Sequence, residues 1–166
     1  MAIKIVMGVP CSGKSHFIKE NFPDKKVWDL YSYQEKLREN QPAKFFNIGE
    51  TNKIVDYICH SEYEVVAKSY ELIKDDMIEC IKNKEDFIME HTLLKAIRRK
   101  YYIDEIRKVT DEEIEIYVIN PPDEKVVENS IKREVNYSLN EVKYHKEVLE
   151  IPTIEEGFSK VIIIEE

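Results

Sequence analysis

The strongest chemical signal in the chain is Gly8-Val9-Pro10-Cys11-Ser12-Gly13-Lys14-Ser15, which satisfies G-x-x-x-x-G-K-[ST] in full. A loop of this composition can wrap an anion with its backbone N–H groups turned inward, because glycine reaches the required dihedral angles without a side-chain clash. The helix expected after Gly13 adds partial positive charge at the same point. Lys14 can reach the β- and γ-phosphates of a nucleoside triphosphate, and the Ser15 hydroxyl can ligate Mg²⁺. The chain has only four glycines, and two stand at the fixed positions of the motif. We take Gly8, Pro10, Cys11, Ser12, Gly13, Lys14, Ser15 and His16 as the nucleotide-binding residues. Cys11 is expected to act as a spacer.

A phosphate loop needs acids and cations around it, and in sheets of this kind ligands lie beyond the carboxyl ends of the strands. Asp29 ends the second expected strand, where a carboxylate can accept the proton of an attacking hydroxyl; its plain alternative is a helix cap. Glu90 ends the third, in Phe87-Ile88-Met89-Glu90-His91-Thr92. It is a candidate for holding Mg²⁺ or contacting substrate. His91 reads as a neighbour and Thr92 as a cap. Arg98 and Arg99 point in different directions on a helix, so at most one is expected to face the site. Arg133 lies in a charge-rich stretch after the fourth strand, where a guanidinium can stabilise charge on a transferring phosphoryl group. Tyr31, Tyr33, Tyr101 and Tyr102 can stack on a base, although half-buried core is the commoner use of such tyrosines.

These residues need a frame. Ile3–Met7 reads as a short buried strand, followed by a helix from Lys14 to Asn21 that Pro23 stops. Lys26–Asp29 is a second strand and Tyr31–Glu39 a helix, with a loop at Gln41-Pro42 and Asn47-Ile48-Gly49. Thr51–Lys84 carries apolar residues at spacings of three and four and is expected to be a long helical tract, broken near His60-Ser61 with Ser61 as a cap. Asp86–Glu90 is a third strand, Leu93–Val109 a helix and Glu113–Ile119 a fourth strand. Pro121-Pro122-Asp123 opens a charged helical segment running to Glu150, and Val161–Ile164 is a fifth strand. Five strand–helix alternations predict an α/β fold, a parallel sheet with helices on both faces.

With 166 residues and no linker, repeat or low-complexity segment, residues 1–166 are expected to form one domain. Acids outnumber bases 33 to 25, for a net charge of −8. That balance argues against a protein held on long nucleic acid by phosphate contacts, but not against a pocket for a nucleic-acid end. Cys11, Cys59 and Cys80 are odd in number and widely spaced, which disfavours a disulfide scaffold or a zinc site. Without a leader-like or membrane-spanning run, the expectation is a soluble, reduced, cytoplasmic protein with no membrane partner.

Four segments together resemble the kinase module of the 5′-hydroxyl polynucleotide kinases, within the broader group of small P-loop kinases that includes zeta-toxin-like proteins. They are GVPCSGKS, Asp29 in WDLYSYQ, IMEHTLLKAIRRKY with Glu90, Thr92 and Arg99, and the ending IPTIEEGFSKVIIIEE. The ending Pro152…Glu156-Gly157-Phe158 is the most telling, since it has no evident chemical role. The resemblance implies a three-layer αβα P-loop fold with strand order 2-3-1-4-5 and an arginine-bearing helical lid. It also implies Asp29 as general base for a 5′-hydroxyl. Family members carry an arginine near that aspartate, where this chain has Trp28, Tyr31, Ser32 and Tyr33, and they typically carry aspartate where this chain has Glu90.

The expectation is therefore an ATP- and Mg²⁺-dependent kinase acting on a hydroxyl. Lys14, Asp29 and Arg133 are its catalytic residues. Asp29, Glu90 and Arg99 face the substrate, and Ser15 and Glu90 face the metal. The acceptor is either a single-stranded nucleic-acid 5′-hydroxyl or a small hydroxylated metabolite. The rival from another class is a non-catalytic nucleotide-binding module. Asn83-Lys84-Glu85-Asp86 has the letters of a guanine-reading motif, but it precedes the third strand, whereas that motif follows a later one.

Overall fold

The computed structural model describes residues 2–39, 44–48, 51–55 and 61–166, the two short segments by their backbone alone. Five strands form an all-parallel sheet: β1 (Ile3–Met7), β2 (Lys26–Asp29), β5 (Phe87–His91), β6 (Ile114–Ile119) and β7 (Lys160–Ile164), in the order β2-β5-β1-β6-β7. Numbered among themselves, these five strands stand 2-3-1-4-5, the implied order. Strand β1 is central, paired with β5 on one side and β6 on the other. A strand buried on both faces is apolar without alternation, as Ile3-Lys4-Ile5-Val6-Met7 largely is.

Side chains alternate across the sheet with period two, and they divide the core accordingly. Ile5, Met7, Trp28, Met89, Ile114, Ile116 and Val118 join one cluster with residues of α2 (Leu30–Arg38), α3 (Glu62–Lys82) and α4 (Ala96–Arg107). Val6, Ile88 and Ile119 face the other way, onto Ile18 and Phe17 of α1 (Lys14–Asn21). The result is the expected helix–sheet–helix layering. A third cluster joins Val9 and Cys11 of the phosphate loop to Val126 of α5 (Asp123–Lys132) and Val142 of α6 (Leu139–Val148). It packs the α5–α6 pair against the loop. Among the described residues no helix is long and apolar enough to cross a membrane.

Four expected segments need correction. Thr51–Lys84 is not one helical tract. Thr51–Val55 is strand β4, antiparallel to β3 (Lys44–Ile48), and the helix begins only at Glu62. The helical spacing of the first part rested on Ile54 and Ile58 alone, whereas Thr51, Ile54 and Val55 are β-branched residues that favour strands. Asn47 and Ile48, expected in a loop, belong to β3; Gln41, Pro42 and Gly49 lie outside the described residues, as does Cys59. Ser61 does cap α3, accepting from the Glu64 N–H at 3.2 Å.

The helix expected from Leu93 starts at Ala96, because Leu93 adopts φ 45 and Lys95 is extended. The segment from Pro121 to Glu150 is two helices. Glu134 and Asn136 take positive φ between them, and Ser138 opens α6 through a capping box with Glu141.

Candidate active site

The phosphate loop is built by close approach. A Cβ on Gly8 would lie 2.5 Å from the Ile119 carbonyl oxygen and 2.6 Å from Ser12 Oγ, so only glycine lets β1 leave the sheet beside the end of β6. Gly13 sits at φ 104 and Cys11 at φ 64, the left-handed region in which the chain reverses. Helix α1 starts directly from Gly13, with no side-chain cap and no acid in its first turn. Its opening N–H groups are thus left for an anion. Ser12 is 3% exposed and its Oγ has no partner among the described residues, a further buried polar atom at the loop.

Lys14 Nζ donates to the carbonyls of Gly8 (3.1 Å) and Val9 (3.0 Å), which folds it over the loop. Burial lowers its pKa to about 8, against the opposing pull of the Glu90 and Asp29 carboxylates. Ser15 Oγ donates to Glu90 Oε1 at 2.6 Å. That contact joins residues 75 positions apart and brings together the two groups expected to face a metal. Burial pushes the Glu90 carboxyl up, while the Ser15 hydrogen bond and Lys14 pull it down. A hydroxyl and a carboxylate are hard oxygen donors, and Mg²⁺ takes one or two such protein ligands beside phosphates and water. The pair fits that ion.

Asp29 ends β2 in register with Glu90 on β5. It also caps α2: Oδ1 accepts from the Tyr31 N–H at 3.1 Å and Oδ2 from Ser32 Oγ at 2.9 Å. A carboxylate has about four acceptor sites, so capping fixes the group without exhausting it. Arg133 caps the end of α5 and bears on both Lys14 and Glu90. Its guanidinium lies 6.0 Å from the centre of the Tyr31 ring.

Two expected site residues are elsewhere. His16 is exposed and pairs with Glu20 at 3.0 Å, so only its backbone belongs to the loop region. Arg99 is 1% exposed. It donates to Glu156 Oε1 at 2.7 Å and Oε2 at 3.1 Å, and to the Leu93 carbonyl at 2.8 Å. The structure thereby gives the ending around Glu156 a physical role: it clamps the turn after β5. Asn83-Lys84-Glu85-Asp86 is the close of α3, with Lys84 at φ 56, Glu85 paired to Lys26 and Asp86 to Lys25.

One residue was missed, and one expected as a neighbour proves to be a buried support. Asn129 Nδ2 donates to the Cys11 carbonyl at 3.0 Å and ties α5 to the loop across 118 positions. No local pattern announces it. His91 is fully buried, with Nε2 3.1 Å from the Tyr102 hydroxyl and Nδ1 accepting from the Leu93 N–H at 3.2 Å. That acceptance places the proton on Nε2. Burial lowers its pKa to about 3, so it holds the turn after Glu90 as a neutral ring.

No protein-family model matches the chain, and no curated protein matches it in sequence. Solved structures do. A provisionally named kinase from Chloroflexus aurantiacus superposes with a TM-score of 0.70 at 12% identity, over 99% of this chain and 84% of that one. A gluconokinase from Sinorhizobium meliloti gives 0.59 at 14% identity, over 99% and 82%. A chain of the Pnkp1/Rnl/Hen1 RNA repair complex gives 0.63 at 16% identity, over 89% of this chain and 43% of that one. Strand order, phosphate loop and these superpositions together establish that the chain has the three-layer αβα fold shared with the P-loop kinases.

Proposed function

We propose that the protein is an ATP-dependent phosphotransferase that moves the γ-phosphate to a hydroxyl acceptor, with a nucleic-acid 5′-hydroxyl as the favoured acceptor. The observation that carries this reading is the convergence of Lys14, the Ser15–Glu90 pair, Asp29 and Arg133 at the carboxyl edge of one parallel sheet. The loop N–H groups and Lys14 hold the triphosphate, and Ser15 and Glu90 would hold Mg²⁺. When bound, that ion would neutralise charge on the triphosphate.

Asp29 takes the proton of the acceptor hydroxyl. The hydroxyl oxygen forms a bond to the γ-phosphorus as the bond to the bridging oxygen breaks, and ADP leaves with that electron pair. Arg133 offsets charge on the phosphoryl oxygens in flight. The capping bonds from Tyr31 and Ser32 hold the Asp29 carboxylate in one rotamer, which favours proton transfer from a fixed direction.

The nucleic-acid acceptor is supported by the four-segment resemblance and by the RNA repair neighbour. The gluconokinase neighbour supports a small hydroxylated metabolite as the second reading. The test is transfer of labelled γ-phosphate from ATP to a short 5′-hydroxyl oligonucleotide. Lys14→Ala is expected to abolish labelling. Asp29→Asn is expected to retain ATP binding and lower transfer by about 10²–10⁴-fold, the usual worth of a general base. Near-normal turnover in Asp29→Asn would remove that residue as base. ATP binding without oligonucleotide labelling would move the acceptor to small hydroxylated compounds.

A further inference from the structure

The chain has five arginines, and the structure sorts them by what accepts their donors. Arg38 pairs with Glu62, Arg99 with Glu156, and Arg107 donates to the Thr110 and Glu112 carbonyls. Arg98 and Arg133 have no acceptor among the described residues, although acids outnumber bases by 33 to 25. Each instead lies over a tyrosine face: Arg133 over Tyr31 and Arg98, at 5.6 Å, over Tyr70.

Arg133 already has a part in the proposed reaction; Arg98 does not. It is exposed on the first turn of α4. The Tyr70 ring beneath it meets His91 edge-on at 4.7 Å and stacks on Tyr102 at 5.7 Å. His91 directly follows Glu90, and the charges of Lys14 and Arg98 both bear on it. Arg133 thus lies over the ring of Tyr31, two residues past Asp29, and Arg98 over the ring that meets His91, the residue after Glu90. A guanidinium attracted to an aromatic face keeps its N–H donors free for bidentate bonding to a phosphate or carboxylate. Held by His91 and Tyr102, Tyr70 is a rigid platform for that purpose.

We infer that Arg98, held over the Tyr70 ring, is the subsite for an anionic group carried by the phosphoryl acceptor. The acceptor is thus an acidic hydroxyl compound, a nucleotide or a hydroxy acid, and not a neutral polyol. The inference rests on the kinase reading for the word acceptor, but its test reads binding alone.

Two probe pairs are titrated against the whole protein with Mg²⁺ and a non-hydrolysable ATP analogue: adenosine 3′-monophosphate against adenosine, and gluconate against glucose. In at least one pair the charged member is expected to bind about tenfold or more tightly, the scale of a charge-assisted bidentate contact. Arg98→Ala abolishes that preference and Arg98→Lys keeps part of it, while affinity for the ATP analogue and the thermal midpoint stay unchanged in both. A preference in the first pair identifies a nucleotide phosphate, and one in the second a carboxylate. Equal binding or no binding of both members in both pairs overturns the inference, as does a preference that survives Arg98→Ala. A preference that Arg98→Ala removes, in a protein that transfers phosphate to no acceptor, leaves the subsite standing and the kinase reading fallen.

Discussion

The phosphate loop and the carboxy-terminal clamp treat charge in opposite ways. At the clamp, Arg99 has its guanidinium matched on Glu156 and on the carbonyl before α4, with 1% exposure. At the loop, Ser12 Oγ has no partner among the described residues, Lys14 rests on carbonyls of its own loop, and α1 has no side-chain cap. The clamp is a completed set of bonds, and the loop is a set with donors left open. Arg98 and Arg99 show the same division one residue apart: about 100° of helix rotation separates an arginine with every obligation met from one with none. Completed polar sets stabilise a fold, whereas incomplete ones bind.

The sharpest way to break this comparison is Arg99→Ala. Removing one member of a buried pair typically costs about 3–5 kcal/mol, because the other charge is left unmatched. Chemical denaturation is expected to show a loss of that order; a loss below about 1 kcal/mol, a surface-pair value, would place the clamp among ordinary surface contacts.

Acid should act next. His91 has a folded pKa of about 3 against 6.5 when free, so the unfolded chain binds the extra proton between those values. Its contribution to stability is complete above pH 6.5 and is lost as pH falls toward 3, at up to about 1.4 kcal/mol per pH unit. His91→Gln is expected to flatten this slope, whatever it does to stability at neutral pH. An unchanged slope would assign the acid limb to other groups.

Lys14 gives the comparison its own pH signature. Its pKa of about 8 means that the free protein loses the loop cation above that pH, while bound phosphates favour the charged form. Affinity for an ATP analogue should fall as pH rises through 8, by at most about tenfold per unit, with proton uptake on binding. Flat affinity from pH 7 to 9 would contradict it. The smallest effect is expected from Arg98→Ala on stability, within about 0.5 kcal/mol, since none of the described residues accepts from it. A loss approaching that of Arg99→Ala would erase the contrast between the two residues.

Much of the loop was legible because its chemistry is local. Gly8, Gly13, Lys14 and Ser15 stand at fixed spacings in one turn, and the turn follows an apolar strand that needed no partner to be recognised. Asp29 at the end of β2 and Glu90 one residue before the end of β5 followed from the strand–helix alternation. Legibility failed where sequence distance is long or periodicity is thin. The antiparallel pairing of β3 and β4 was hidden because a few apolar residues at spacing four imitate a helix, and the α5–α6 break because a capping box inside a charged run is easily read through. Asn129 on the Cys11 carbonyl and Glu156 on Arg99 could not be read at all, since nothing in either neighbourhood encodes the other.

By itself the sequence determined the alternating α/β order, the phosphate loop and the acids at the strand ends, all consequences of residue type and short spacing. Only the tertiary structure decided which arginine was buried and which was left facing outward. It also decided that Ser15 meets Glu90, and that Asp29 is held as a helix cap beside it. Those outcomes depend on the register between strands and the rotation of a helix about its axis. Packing of the whole core sets both, and no local stretch of residues does.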